Sequence, residues 1–246
     1  MRSELMRPTS PGGAADAQRR LCAGMRPARA SALWAHVAAR TRFFDEQVQV
    51  AVAGGIAQIV ILGAGYDDRA LRFPAPAVRY VEIDHPDTQR DKRGRLQGLG
   101  DLRGLDALTL APADFRTDDV ATVLAGHGHD ASSPTLFILE GLLVYLDESA
   151  TVSLLGALHR RAQESSVLAA SLAVHAEGLA SARVVARANA GRVHAGAEPW
   201  RTIATPSAQR HLLARSGWQV AEAVDDAAVD AAAPRGRSLL VTARPA

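Results

Sequence analysis

Short continuous apolar runs recur along this chain, separated by longer segments whose apolar residues return every three or four positions. Seven runs predict strands, at residues 59–62, 78–83, 107–110, 136–139, 167–172, 218–222 and 239–242. Runs without polar alternation fit strands buried on both faces of a parallel sheet. The longer segments predict helices at 87–99, 117–125, 148–163, 176–190 and 207–216. A longer helix at 31–53 precedes them, with Leu33, Val37, Phe44, Val48 and Val52 as its apolar stripe and Gly54-Gly55 as its stop. The last helix is well punctuated: Thr205 is its N-cap, Pro206 its first residue and Gly217 lies past its end. Strand and helix in alternation predict an α/β fold, a doubly wound, Rossmann-like, seven-stranded and mostly parallel sheet. The final two strands, joined by an acidic, alanine-rich loop at 225–234, predict a C-terminal hairpin with one antiparallel strand.

Two regions stand apart from this alternation. Residues 1–27, with Pro8, Pro11, Gly12, Gly13 and Pro27, predict an N-terminal tail or lid, leaving 28–246 as the main domain. Residues 174–205 are too long for a simple connection, and we expect a helical cap insertion over a substrate pocket. No internal repeat is present.

Candidate chemistry gathers where the first strands end. Run 59–62 opens into Gly63-Ala64-Gly65, followed by Asp67 and Asp68. Such a turn lets the backbone approach a ligand closely. A dinucleotide fingerprint would place a third glycine at position 68, where this chain has Asp68. Two carboxylates facing the place of a pyrophosphate would repel it, so the pattern suits a nucleoside cofactor without phosphates, such as the cationic S-adenosyl-L-methionine. A nicotinamide oxidoreductase, which shares the strand, turn and acid layout, is the competing class, and a catalytically silent binding module of the same fold is another. The second run ends in Glu82-Ile83-Asp84. Asp84 stands about twenty residues beyond the turn, where such units place an acid on ribose hydroxyls. Glu82 and Asp84, two apart, share one face of the strand.

Composition narrows the classes without choosing among them. The chain has 246 residues, 48% of them apolar, enough for one domain with a large core. The net charge is +2, and the stretch 90–95 (Arg-Asp-Lys-Arg-Gly-Arg) predicts a solvated helix face, so no nucleic-acid partner is indicated. Cys22 is the only cysteine, which excludes an internal disulfide and a thiolate metal cluster and fits the cytoplasm. No apolar run is long enough for a membrane span. His127 and His129 share a glycine loop, but the pattern places no third ligand, and we expect no metal.

Four blocks together carry a resemblance. They are Ala39-Arg40-Thr41-Arg42-Phe43-Phe44-Asp45; Val60-Ile61-Leu62-Gly63-Ala64-Gly65-Tyr66-Asp67-Asp68-Arg69; Val81-Glu82-Ile83-Asp84-His85-Pro86; and Phe137-Ile138-Leu139-Glu140-Gly141-Leu142-Leu143-Val144-Tyr145-Leu146. In this order the chain resembles the leucine carboxyl methyltransferase family, a branch of the class I S-adenosyl-L-methionine-dependent methyltransferases that includes bacterial small-molecule O-methyltransferases. The resemblance implies that Arg40 grips the methionine carboxylate, with Arg42 its nearby rival. It implies that Gly63 and Gly65 pass beneath the cofactor, that Asp84 holds the ribose, and that Asp114 and Phe115 frame the adenine. Glu140 would lie near the methionine ammonium, and a buried glutamate there should have a cationic partner or a raised pKa.

The expected activity is methyl transfer to a carboxylate or hydroxyl oxygen of a small molecule, in secondary metabolism, with S-adenosyl-L-homocysteine as product. Methylation of carbon or nitrogen on a heteroaromatic ring is the alternative. A carboxylate acceptor needs no general base; a hydroxyl does. Tyr145, His175 and His194 are the catalytic candidates.

Overall fold

The computed structural model describes residues 27–97, 106–176, 181–194, 198–229 and 238–246. The predicted tail therefore lies outside the described residues except for Pro27, which opens helix α1 (Pro27–Ala53). The strands are β1 (Gln58–Leu62), β2 (Arg79–Asp84), β3 (Leu108–Pro112), β4 (Thr135–Leu139), β5 (Val167–Ala173), β6 (Trp218–Asp225) and β7 (Ser238–Pro245). They form one sheet in the order β3-β2-β1-β4-β5-β7-β6. β1 to β5 pair in parallel, while β7 runs antiparallel to both β5 and β6, as the hairpin prediction requires.

All five residues of β1 and of β4 are buried, which is why their sequences do not alternate. Their side chains still divide by strand parity between two cores. Ile59, Ile61, Leu136 and Ile138 pack with Phe43, Phe44, Val48 and Ala51 of α1 on one face. Val60, Leu62, Phe137 and Leu139 pack on the other with α4 (Val120–Gly126), α5 (Glu148–Arg160) and α7 (Pro206–Arg215). Trp218 anchors this second core: it is fully buried, and its indole N–H donates to Leu155 O at 3.0 Å. Its ring meets Phe137 and His159 edge-on, at centroid distances of 6.1 and 5.9 Å.

Helix starts follow local capping chemistry. Thr205 accepts from Ala208 N at 3.2 Å with Pro206 behind it, as predicted. Asp147 caps α5 through Ala150 N, and Asp119 caps α4 through Ala121 N, so α4 begins three residues later than its pattern suggested. Helix α3 covers Pro86–Gln97. Three short turns of helix escaped prediction because they are too brief to show a period: α2 (Arg69–Arg72), a 3-10 turn (Leu143–Tyr145) and α8 (Asp226–Val229). Val229 of α8 packs on Ala35 and Ala39 of α1, and Arg42 Nη1 donates to Val229 O at 3.0 Å.

The long connection after β5 carries α6 (Ser181–His194), several residues later than the predicted 176–190. Asn189 exchanges two hydrogen bonds with the Trp200 backbone, at 2.8 and 2.7 Å. The chain then lies along the loop after β4. Arg201 N donates to Val144 O at 2.7 Å, Thr202 Oγ1 to Leu146 O at 2.5 Å, and Val174 bridges Ala204 in parallel. No helix among the described residues is long and apolar enough to cross a membrane.

Candidate active site at the carboxyl edge of the sheet

The chain leaves β1 toward β2 and β3 on one side and returns to β4 and β5 on the other, so the loops after β1 and β4 part at the reversal point where open α/β sheets bind ligands. Gly63, Gly65, Asp84, Glu140 and Arg40 stand on the loops at this edge or are bonded to them. Gly63 and Gly65 turn with φ of +64° and +50°, in the left-handed region. Gly65 N donates to Asp84 Oδ2 at 2.5 Å, and His85 N donates to Asp84 Oδ1 at 2.6 Å. The turn and the acid at the end of β2 thus form one unit. A carboxylate has about four lone-pair positions, so Asp84 retains acceptor capacity for a vicinal diol.

Glu140 follows the last residue of β4. It has the cationic partner its burial demands, twice over: Arg40 Nε donates to Oε1 at 2.9 Å, and Arg69 Nη2 lies 2.7 Å from Oε2. Burial works to raise its pKa, but Arg69 and then Arg40 outweigh that and hold the carboxyl below its usual value. Arg40 comes this close because the next residue is Gly141, with φ +67°; a Cβ there would stand 3.2 Å from Arg40 Nη1. Nε is the only Arg40 atom with a hydrogen bond among the described residues, so its Nη groups suit a ligand carboxylate. Arg42, the rival, reaches α8 instead.

Arg69 is the centre of this network, and sequence reasoning gave it no role. Only 3% exposed, it bonds Asp45 through Nε at 2.8 Å, Asp67 through Nη1 and Glu140 through Nη2. Arg72 grips Asp45 with both Nη groups at 2.6 and 2.9 Å and Asp68 with Nε at 2.7 Å. The expected repulsion of phosphate by Asp67 and Asp68 is therefore corrected: each carboxylate is spent on an arginine of α2. Burial raises the Asp68 pKa against the pull of Arg72. Asp45 and Arg69 stood inside the quoted blocks, yet a charged residue in sequence carries no mark of its burial.

The stretch 90–95 is the solvated face expected at Arg90, Asp91, Arg93 and Gly94, and needs correction at one position. Lys92 is 1% exposed, not solvated. Its ammonium donates to Glu82 Oε2 and, at 2.7 Å, to Asp67 O. Glu82 is fully buried, and desolvation pushes its carboxyl up to about 7 while Lys92 pulls it down.

At the end of β3, Asp114 is held by Arg116, whose Nε and Nη2 reach its two oxygens at 3.0 and 2.8 Å. These bonds lower its pKa to about 2. Phe115 packs against the core. Tyr145 closes the 3-10 turn. His175 is buried, with Nδ1 2.8 Å from Ala176 O and its backbone N–H on Ala204 O. The side chain of His194 lies outside the described residues. His129 is bonded to Thr135 and Arg161, and among the described residues no three His, Cys, Asp or Glu side chains are placed to hold a metal.

Comparison with known proteins assigns the chain to a family. The profile of the family described as Leucine carboxyl methyltransferase matches residues 6–159. A Streptomyces coelicolor protein named "Putative S-adenosyl-L-methionine-dependent methyltransferase" is 34% identical over 184 residues, 74% of this chain and 62% of the relative. A Mycobacterium tuberculosis protein described in the same words is 32% identical over 201 residues, 80% of this chain and 64% of the relative. The chain belongs to the leucine carboxyl methyltransferase family. It spans 62% and 64% of the length of these two relatives. Solved structures share the fold. The mitomycin 7-O-methyltransferase MmcR superposes with a TM-score of 0.54 at 18% identity, over 78% of this chain and 50% of that one. LaPhzM superposes with a TM-score of 0.54 at 21% identity, over 84% and 58%.

Proposed function

We propose that this protein binds S-adenosyl-L-methionine at the carboxyl edge of β1, β2 and β4 and transfers its methyl group to an oxygen of a small molecule in secondary metabolism. One observation carries the reading: Arg40, Glu140 and Asp84, a cation and two anions, surround a glycine turn at the sheet's reversal point in a chain of this family. The bound donor would offer a carboxylate to Arg40, an ammonium to Glu140, which Arg69 keeps ionised, and a ribose diol to Asp84. Asp114 and Phe115 would flank the adenine, with the Asp114 oxygens shared with Arg116.

The donor supplies an electrophilic methyl on a sulfonium. Transfer is an in-line displacement, for which the chain must set the acceptor about 3 to 3.5 Å from the methyl carbon and exclude water. Segment 174–205, whose Arg201 and Thr202 donate to Val144 O beside Tyr145, is proposed as the cap that does this. A carboxylate acceptor is ionised already and leaves Tyr145, His175 and His194 with positioning roles; a phenol would require one of them as base. Methylation of a small molecule on oxygen is also what the name of MmcR states for that protein.

The test is transfer of a labelled methyl group from S-adenosyl-L-methionine to panels of small carboxylic acids, phenols and heteroaromatic amines, with a peptide C-terminus as control. Label on an acid or phenol oxygen is expected. Label confined to ring nitrogen or carbon, or to the peptide, would overturn the acceptor assignment.

A further inference from the structure

Lys92 makes buried contacts beside the glycine turn that the proposed chemistry leaves unused. The glycine turn is fastened at its start by β2: Gly63 N and Ala64 N both donate to Ile83 O, at 2.8 and 3.2 Å, and Gly65 N donates to Asp84. Its far end, at Asp67, is fastened from α3. There Lys92 Nζ donates to Asp67 O at 2.7 Å, while its second bond goes to Glu82 Oε2. Glu82 lies in β2 two residues before Asp84, and Gln89 Nε2, one turn before Lys92, donates to Glu82 O at 3.1 Å. Lys92, Glu82 and Gln89 are all nearly or fully buried, and Glu82 Oε1 has no partner among the described residues.

Such an arrangement is a poor way to gain stability. A buried ion pair replaced by apolar groups of like size is often neutral or stabilising. What an apolar pair could not supply is a donor on the Asp67 carbonyl. Asp67 is also the residue whose side chain holds Arg69, so its backbone position reaches both ends of the proposed ligand: Asp84 through the turn, and Glu140 through Arg69.

We propose that Lys92 is a positioning residue for the donor site: it pins the Asp67 carbonyl so that residues 63–67 keep their ligand-binding form, with Glu82 as the buried acceptor that orients its ammonium. This rests on the S-adenosyl reading of the turn, although neither side chain touches the ligand.

Calorimetric binding of S-adenosyl-L-homocysteine, paired with thermal melting, tests it on three proteins: wild type, Glu82→Gln, and the double variant Glu82→Leu/Lys92→Met. Glu82→Gln keeps an acceptor oxygen for Lys92, and with it the donor on Asp67: it should melt lower than wild type, because the Lys92 charge loses its partner, while the folded protein binds within about threefold of wild type. The double variant replaces the ion pair with apolar groups of like size and should melt close to wild type, yet bind at least about tenfold more weakly. A folded double variant that binds as wild type does would overturn the proposal. So would affinity that falls only in step with melting temperature. If the double variant does not fold, Glu82→Gln/Lys92→Gln, which can keep a neutral bond between the two side chains, carries the same comparison. Failure of the wild type to bind would instead reject the S-adenosyl reading itself.

Discussion

Arg69 joins three carboxylates from three separate parts of the chain: Asp45 of α1, Asp67 of the glycine turn and Glu140 after β4. Its removal leaves Glu140 buried with Arg40 alone, so the carboxyl should rise toward neutrality. For wild type, S-adenosyl-L-homocysteine affinity should be flat from about pH 5.5 to 8, where a carboxyl below its usual value stays ionised. For Arg69→Met it should be weaker and should climb with pH, by up to about tenfold per pH unit; a flat profile would separate Arg69 from Glu140. His129 gives a second pH effect, unrelated to the ligand. Burial first, and Arg161 next, lower its pKa to about 4, below its unfolded value. The unfolded chain therefore takes up the proton first, and stability falls as pH drops from about 6.5 to 4, by about 3 kcal/mol at most. Urea unfolding of His129→Gln should lack that loss. Asp84 and Glu140 were legible in the sequence because strand ends and family blocks mark them. Arg69 and Lys92 were not: their roles come from partners 71 and 10 residues away, Glu140 and Glu82, which pattern alone does not pair.

At the scale of elements, apolar runs and capping chemistry carried most of the information. Each predicted strand is present, and the cap at Thr205 stands where it was expected. Helix α6 was displaced because its alanine-rich surroundings give little periodic contrast. Trp218 shows how an element is held once formed: a strand-opening residue whose ring fills the gap between β4 and α5. Trp218→Ala should destabilise the fold by about 3–5 kcal/mol, measured by urea unfolding, with donor affinity preserved in the fraction that remains folded. A loss below about 1 kcal/mol would mean that the second core closes over the cavity.

For the whole molecule, strand order is what brings distant residues to one place. The reversal between β1 and β4 brings the glycine turn and Glu140 to one edge, where Arg69 bridges Asp67 and Glu140, while α1, lying across one face of the sheet, carries Arg40 to the same edge. The doubly wound topology was legible from alternating elements, but the register that puts Gln58 opposite both Arg79 and Thr135 was not, because a continuous apolar run fits several registers equally well. Whether this edge binds an S-adenosyl donor is decided by calorimetric titration of S-adenosyl-L-methionine, S-adenosyl-L-homocysteine and NAD into wild type and Asp84→Ala. Saturable binding of both S-adenosyl ligands is expected, with no comparable binding of NAD and at least about a hundredfold loss in Asp84→Ala with melting temperature little changed. NAD binding in preference to the S-adenosyl ligands, or S-adenosyl binding indifferent to Asp84, would contradict it.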